Sequence, residues 1–185
     1  MDIPLGWQLF IQVILIAVNA VFASAEIAIV SMNELKLEKL AEDGNRRAKR
    51  LRKLTEKPAG FLATIQIAIT LSGFLGSAFA ADNFSDVIVR WLVDDLGVQI
   101  KESTLNTIAV IVITIILSYV TLVFGELVPK RVAMKKTQQI SLGVSGLISV
   151  SSKFFAPLVW LLTASTNLVL RILRIDPNGD DEEVS

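Results

Sequence analysis

The sequence contains no cysteine and no histidine among its 185 residues. Without thiols or imidazoles the chain cannot form disulfides, the usual zinc and soft-metal sites, or a histidine proton relay. It also lacks the glycine-rich P-loop pattern and any nucleophile–base set, so we expect neither an ATP-driven protein nor an enzyme. Its 18 basic residues balance its 18 acidic ones, which gives no reason to expect a nucleic-acid partner. A basic n-region is missing from the start, so we expect no cleaved signal peptide.

Charge is also missing from three long runs, residues 3–25, 58–81 and 103–125. Each run has 23 or 24 residues, and about 20 suffice for a helix to cross a bilayer. The chain is 52% hydrophobic with a mean hydropathy of +0.59, which is typical of an integral membrane protein. We therefore predict an all-α membrane fold with three transmembrane helices at about residues 7–31, 58–81 and 105–128.

The connection between the first two spans, residues 33–57, is strongly basic. It carries nine Lys or Arg residues against five Asp or Glu residues. Its apolar residues recur at helical spacing, at Leu37, Leu40, Ala41, Ala48, Leu51 and Leu54. We expect one amphipathic basic helix on the membrane surface, followed by Pro58 at the start of the second span.

The charges of the connections predict the topology. Residues 82–104 are mainly acidic, whereas residues 130–136 add four more basic side chains. The positive-inside rule places both basic connections in the cytoplasm and the acidic one outside. We expect a multi-pass protein of the cell membrane, with its N-terminus outside and its C-terminus in the cytoplasm.

The last apolar region, residues 137–175, is divided by Lys153 and Pro157. A fourth crossing would carry Arg171 and Arg174 to the outside, against the charge rule. We therefore prefer a kinked juxtamembrane helix pair on the cytoplasmic side, with a fourth span as the alternative. Residues 176–185 are polar and are interpreted as the start of a linker.

Two acids lie inside or at the inner ends of the spans, Glu26 and Glu126. An acid at such a depth costs a few kcal/mol unless it is paired, hydrated or protonated. Pro129 cannot donate a hydrogen bond to the carbonyl of Gly125, four residues earlier, so that oxygen is predicted to be open. Hard cations choose carboxylate and carbonyl oxygens of this kind. The alternative is a helix end at the membrane surface where Glu126 pairs with a Lys or Arg; we expect the following basic residues to lie too far along the helix to neutralise it fully.

Neutral oxygen donors in the first two spans could complete such a site. Thr70 and Ser72 lie near the middle of the second span, and Ser24 comes two residues before Glu26. Ser72 also begins a row of small residues with Gly76 and Ala80, which indicates close helix packing. Asn19 is interpreted as an interhelical hydrogen-bonding residue rather than a ligand.

Four segments in order, FASAEIAIVSMN, a basic helix, LATIQIAITLSGFLGSAFA and VFGELVPKRVA, resemble the transmembrane domain of the CNNM/CorC family of cyclin M-like magnesium transporters. The resemblance covers nearly the whole chain, and GELVPKRVA is its most specific part. It implies three membrane helices, a cytoplasmic juxtamembrane belt, a homodimer and a following pair of cytoplasmic CBS modules. It also implies Mg2+ transport, usually efflux, with Na+ as a coupling ion.

Residue by residue, Gly125 and Glu126 match the family's metal-binding Gly-Glu. Ser24 and Glu26 fall within its first-span polar motif, although many relatives have serine where this chain has Ala23 or Ala25.

The second span departs from the family pattern. Relatives often have Gly-Asn-Thr at Ala68, Ile69 and Thr70, and a second Asn at Gly73. An amide ligand is therefore missing: either Thr70 or Ser72 substitutes for it, or water fills the position, or the ion preference has changed in this branch of the family.

From the residues and the resemblance together we expect a transmembrane domain over residues 1–175 that binds Mg2+ between its spans. The predicted metal site comprises Ser24, Glu26, Thr70, Ser72, Gly125 and Glu126. The rival hypothesis is a non-transporting membrane anchor or regulatory domain for a cytoplasmic CBS pair, although a pure anchor needs no acids within its spans.

Overall fold

The computed structural model describes residues 4–91, 93 and 101–175. The described residues are almost entirely helical, which confirms the predicted all-α membrane fold. The helices are α1 (Leu5–Val30), α2 (Glu34–Glu42), α3 (Arg46–Thr55), α4 (Pro58–Arg90), α5 (Glu102–Leu122), a π-helical turn (Val123–Leu127), α6 (Val128–Lys135), α7 (Thr137–Phe154) and α8 (Ala156–Ile172). The predicted linker at 176–185 and the acidic residues Asp94 and Asp95 lie outside the described residues.

Three helices in the described part are long and apolar enough to span a membrane: α1, α4 and the continuous helix Ser103–Lys135. The latter two are longer than predicted. The acidic composition after residue 81 predicted a loop, but α4 continues to Arg90. Val89 there packs with Leu105 and Ala109 of α5, so buried apolar contacts sustain the helix among the charges.

Close packing of α1 against α4 uses the predicted row of small residues. Ser72 and Ala80 are buried, with 6% and 1% of their surface exposed. A Cβ atom on Gly76 would lie 3.2 Å from Nε2 of Gln12 in α1. The small side chains therefore let the first two spans approach each other closely, as the sequence predicted.

The basic connection forms two helices, so the prediction of one helix over residues 33–57 is wrong. Gly44 adopts a φ of +89°, a left-handed conformation that glycine tolerates best. Asn45 then caps α3, because its side-chain oxygen accepts hydrogen bonds from the backbone N–H groups of Arg47 (2.9 Å) and Ala48 (3.1 Å). The turn at residues 43–45 reverses the chain and folds α2 against α3.

The apolar face of the α2–α3 pair is buried in the protein instead of lying on lipid. The largest core cluster combines this face with the adjoining ends of α1 and α4 and with one side chain of α7. Its members are Phe22, Ala25, Ile29, Met32, Leu37, Ala41, Ala48, Leu51, Phe61, Ile65, Ala68 and Ile148. The expected surface helix is thus a structural part of this end of the helix bundle, and its basic side chains face outward.

The last apolar region forms the predicted kinked pair. α7 and α8 meet at Phe155 with a bend of 70°. α7 packs on α1, α3 and α4, whereas α8 has no buried residue. The packing of α7 on the basic helix α3 favours the juxtamembrane interpretation. By length and apolar composition alone, α7 and α8 together could also form one bent fourth span.

Candidate cation site

The third membrane helix changes its winding at the Gly-Glu motif. The backbone N–H of Val128 donates to the carbonyl of Val123, five residues earlier, which defines a π-helical turn over Val123–Leu127. Single π turns inside α-helices are frequent at functional sites. Pro129 follows directly and has no N–H to donate to the carbonyl of Gly125.

The carbonyl of Gly125 is occupied by another group, so the prediction that it lies open is wrong in this structure. Nδ2 of Asn19 in α1 donates to this oxygen at 3.2 Å. The close approach depends on glycine, because a Cβ atom at this position would lie 3.1 Å from Nδ2 of Asn19 and 3.3 Å from Cγ2 of Thr121. Asn19 is thus an interhelical hydrogen-bonding residue, as predicted, and it shields the carbonyl from a cation.

The same asparagine also contacts the second span. The hydroxyl of Ser72 lies 3.1 Å from Oδ1 of Asn19. It lies closer to two carbonyls of its own helix, at 2.8 Å from Ala68 and 3.0 Å from Ile69. Asn19 therefore connects all three spans through one side-chain amide.

Both intramembrane acids converge on a single ammonium group. Nζ of Lys130 lies 3.1 Å from Oε2 of Glu26 and 2.9 Å from Oε1 of Glu126. The expectation that the basic residues lie too far along the helix to neutralise Glu126 is therefore wrong. Lys130 is one helical turn after Glu126, and its side chain reaches back between the two acids.

Glu26, Glu126 and Lys130 together resemble a cation-binding site in which the lysine ammonium takes the position of the cation. The two contacting carboxylate oxygens lie at most about 6 Å apart, since both lie within 3.1 Å of one nitrogen. With both acids ionised and Lys130 charged, the trio has a net charge of −1. The three side chains are about one-third exposed, at 31% for Glu26, 35% for Glu126 and 29% for Lys130. A small cation could therefore reach the carboxylates without unfolding the bundle.

The other predicted ligands are distributed unevenly around this trio. Ser72 faces Asn19 and is linked through it to Gly125. Ser24 lies two residues before Glu26, about 200° around α1, and lines a separate cavity of about 270 Å3 with Ile140 and Val144 of α7.

Thr70 lies on the exposed side of α4, where its hydroxyl oxygen accepts a hydrogen bond from Gln66 at 3.3 Å. The structure therefore brings Glu26 and Glu126 together through Lys130, and it links Gly125 to Ser72 through Asn19. Ser24 and Thr70 lie apart from both groups. Within the described residues, no three or more Asp, Glu, His or Cys side chains lie close enough together to bind a metal ion as a group.

Lys130 is a functional candidate that the sequence interpretation did not name, although its alternative paired Glu126 with a Lys or Arg. Its spacing of four residues from Glu126 is the spacing at which oppositely charged side chains meet on a helix. That signal was present, but the proximity of Glu26 depends on how α1 crosses the third span. It could not be read from the spacing alone.

Comparison with known proteins gives a consistent set of matches. A sequence model described as the cyclin M transmembrane N-terminal domain matches residues 10–185. A UPF0053 protein of Synechocystis sp. is 39% identical over 168 residues, covering 91% of this chain and 37% of the relative. A polyamine export protein of Haemophilus influenzae is 32% identical over 169 residues, covering 91% of this chain and 38% of the relative.

A third relative is a UPF0053 inner membrane protein of Escherichia coli, 30% identical over 158 residues, with 85% of this chain and 33% of the relative covered. The chain thus spans less than half the length of these curated relatives.

Proposed function

Since this chain belongs to the family of cyclin M transmembrane N-terminal domains, we propose that it exports a cation across the membrane and that Mg2+ is the ion. The observation that carries the proposal is the convergence of Glu26 and Glu126 on one cationic group at the π-helical turn. Two acids from different spans share one charge, so they form a site that attracts cations.

The donor chemistry favours a hard ion. The pair itself offers carboxylate oxygens, and the chain has no thiol or imidazole to select softer metals. Mg2+ takes oxygens at about 2.0–2.1 Å and usually keeps several of its waters. Oxygens on opposite sides of one Mg2+ are thus about 4 Å apart, which lies within the upper bound of about 6 Å between the carboxylate oxygens of Glu26 and Glu126.

In this proposal the ammonium of Lys130 lies between the two carboxylates when no Mg2+ is bound. Mg2+ displaces this ammonium from between the carboxylates, and the returning ammonium helps to release the ion. The ammonium compensates one of the two acids in the empty site and Mg2+ compensates both, so neither state leaves two uncompensated acids at this depth. The hydrogen bond from Asn19 to Gly125 would hold the π turn in register, or open to offer the carbonyl as a further ligand.

A polyamine is the second candidate, and one feature of the site favours it. The group that lies between the two acids is a primary ammonium at hydrogen-bonding distance, the same group that ends a polyamine. Two of the relatives are named polyamine export proteins. A polyamine would replace the Lys130 ammonium without any movement of the carboxylates. Na+ as coupling ion, the homodimer, the cytoplasmic CBS pair and the orientation of the termini stay predictions of the family resemblance.

The two cations are distinguished by binding to the purified domain, measured by isothermal titration calorimetry at constant ionic strength. We expect Mg2+ to bind, Glu126→Gln to abolish that binding while the protein stays folded, and spermidine to compete weakly. Spermidine binding that depends on Glu126, with no binding of Mg2+, would instead assign the site to polyamines. If neither cation binds, the pair is a structural ion pair and the proposal fails.

A further inference from the structure

A group of basic side chains lies away from Glu26 and Glu126, at the end of the helix bundle that the charges predict to be cytoplasmic. A cavity of about 430 Å3 opens between the C-terminal half of α3, the start of α4 and the junction of α7 with α8. It is built by the same packing that buries the apolar face of the α2–α3 pair, because α3, α4 and α7 all contribute to that core. The cavity is therefore part of the folded bundle and not a gap between loose segments.

Four basic side chains line this cavity: Arg50, Lys53, Lys57 and Lys153. None of its lining residues is acidic. Both ion pairs within the described part of the chain belong to Lys130, so none of these four cations has an acidic partner there. Four like charges around one cavity repel one another, and an anion between them would remove that cost.

Two further features point to an occupant with polar oxygens. The Arg50 guanidinium lies directly over Gly146 of α7, where a Cβ atom would come within 2.8 Å of its Nη1. Glycine at 146 thus makes room for this guanidinium beside the cavity. Ser152, another lining residue, has a buried hydroxyl oxygen without a hydrogen-bond partner in the described structure. A buried hydroxyl without a partner destabilises the fold, and a bound ligand with polar oxygens would satisfy it.

Other residues that line the cavity are apolar. They include Phe61, which is buried, and Trp160 of α8, which is 71% exposed. Tryptophan is enriched at the headgroup level of membranes, and α8 has no buried residue, so its surface is free to face lipid. A basic rim beside an apolar and aromatic wall at the membrane boundary matches the two ends of a phospholipid.

We propose that this cavity binds one anionic phospholipid of the cytoplasmic leaflet. Its phosphate lies among Arg50, Lys53, Lys57 and Lys153, and its glycerol and upper acyl chains lie along Phe61 and Trp160. Basic pockets between membrane helices on the cytoplasmic side bind acidic headgroups in this way. Such a lipid contacts α3, α4, α7 and α8 at once, and it therefore stabilises the packing of the juxtamembrane helices α7 and α8 on the rest of the bundle.

The test is native mass spectrometry of the purified chain titrated with dioleoyl phosphatidylglycerol and, separately, with dioleoyl phosphatidylcholine. Wild type should bind one phosphatidylglycerol in preference to phosphatidylcholine. The double variant Arg50→Gln/Lys53→Gln should lose affinity roughly 10- to 30-fold, because each basic side chain near an anionic surface contributes about fivefold. The matched control is Lys49→Gln/Arg52→Gln, two exposed cations of the same helix that do not line the cavity; its affinity should change less than about twofold.

Two single variants keep the test decisive if the double variant folds poorly. Lys153→Gln removes one lining charge from α7 and leaves α3 intact, and it should weaken phosphatidylglycerol binding about fivefold. Trp160→Ala should weaken lipid binding without affecting competition by inorganic phosphate. If the cavity and control double variants lose equal affinity for phosphatidylglycerol, the lipid is bound by general surface charge and the proposal is overturned. Equal binding of phosphatidylcholine, or full displacement of the lipid by millimolar inorganic phosphate, would overturn the assignment to an anionic lipid.

Discussion

Replacing Lys130 with methionine distinguishes a cation-binding site that the lysine ammonium occupies from a structural ion pair. Methionine keeps an unbranched side chain of similar length and removes only the charge. The ammonium contacts Glu26 at 3.1 Å and Glu126 at 2.9 Å, and all three side chains are about one-third exposed. Each contact is therefore worth about 0.5–1 kcal/mol after screening by solvent, so the two together oppose cation binding by about 1–2 kcal/mol.

Without this competition, Lys130→Met should bind Mg2+ about 5- to 30-fold more tightly than wild type. Loss of one positive charge takes the site from −1 to −2, which acts in the same direction. In the absence of Mg2+ the variant should be less stable, since two acids then face each other unpaired, and Mg2+ should restore its Tm. Calorimetric titration and thermal unfolding of the purified domain measure both effects.

The matched control is Lys135→Met, the same change on an exposed lysine of α6 that has no ion pair in the described structure. It should alter Mg2+ affinity less than about twofold. If Lys130→Met weakens Mg2+ binding in a folded protein, or behaves like Lys135→Met, Lys130 does not occupy the cation position and the reasoning is refuted.

Three further predictions concern the helix packing, the turn between α2 and α3, and the membrane topology. Asn19→Ala should destabilise the bundle by about 1 kcal/mol and more than Ser72→Ala, because Ser72 keeps carbonyl acceptors in its own helix; equal losses in reversible unfolding would contradict the assigned hydrogen bonds. Gly44→Ala should cost about 1 kcal/mol in the same assay because φ is +89° there, and an unchanged stability would mean that the α2–α3 turn differs in solution. In this cysteine-free chain, Ser103→Cys and Lys136→Cys should react with an impermeant maleimide from opposite sides of the membrane, and labelling from one side would overturn the topology.

Much of the fold follows from local patterns that are visible in the sequence. Uncharged runs of sufficient length predict the three spans, and Pro58 marks the start of the second one correctly. The break between α2 and α3 is also encoded, since Asp43, Gly44 and Asn45 are typical turn residues. It was missed because apolar residues continue at helical spacing on both sides of the turn.

The site was predicted only in part, because its contacts depend on how the helices are rotated and where they cross. The sequence identified Glu26, Glu126 and the Gly125–Pro129 pair as unusual for a membrane helix. It could not tell which face of α4 meets α1, and so it could not choose between Thr70 and Ser72. The reach of Lys130 to both acids likewise depends on the path of α1 beside the π turn.

Cation efflux from proteoliposomes that contain the full-length protein tests the central claim most directly. The comparison is wild type against Glu126→Gln, which preserves the shape of the side chain and removes its charge. Loss of Mg2+ flux in the folded variant, with flux retained when the exposed Glu34 is changed to Gln, is the result we predict. If Glu126→Gln carries Mg2+ as fast as wild type, Glu126 is only the partner of Lys130 in an ion pair, and the cation site proposed here does not exist.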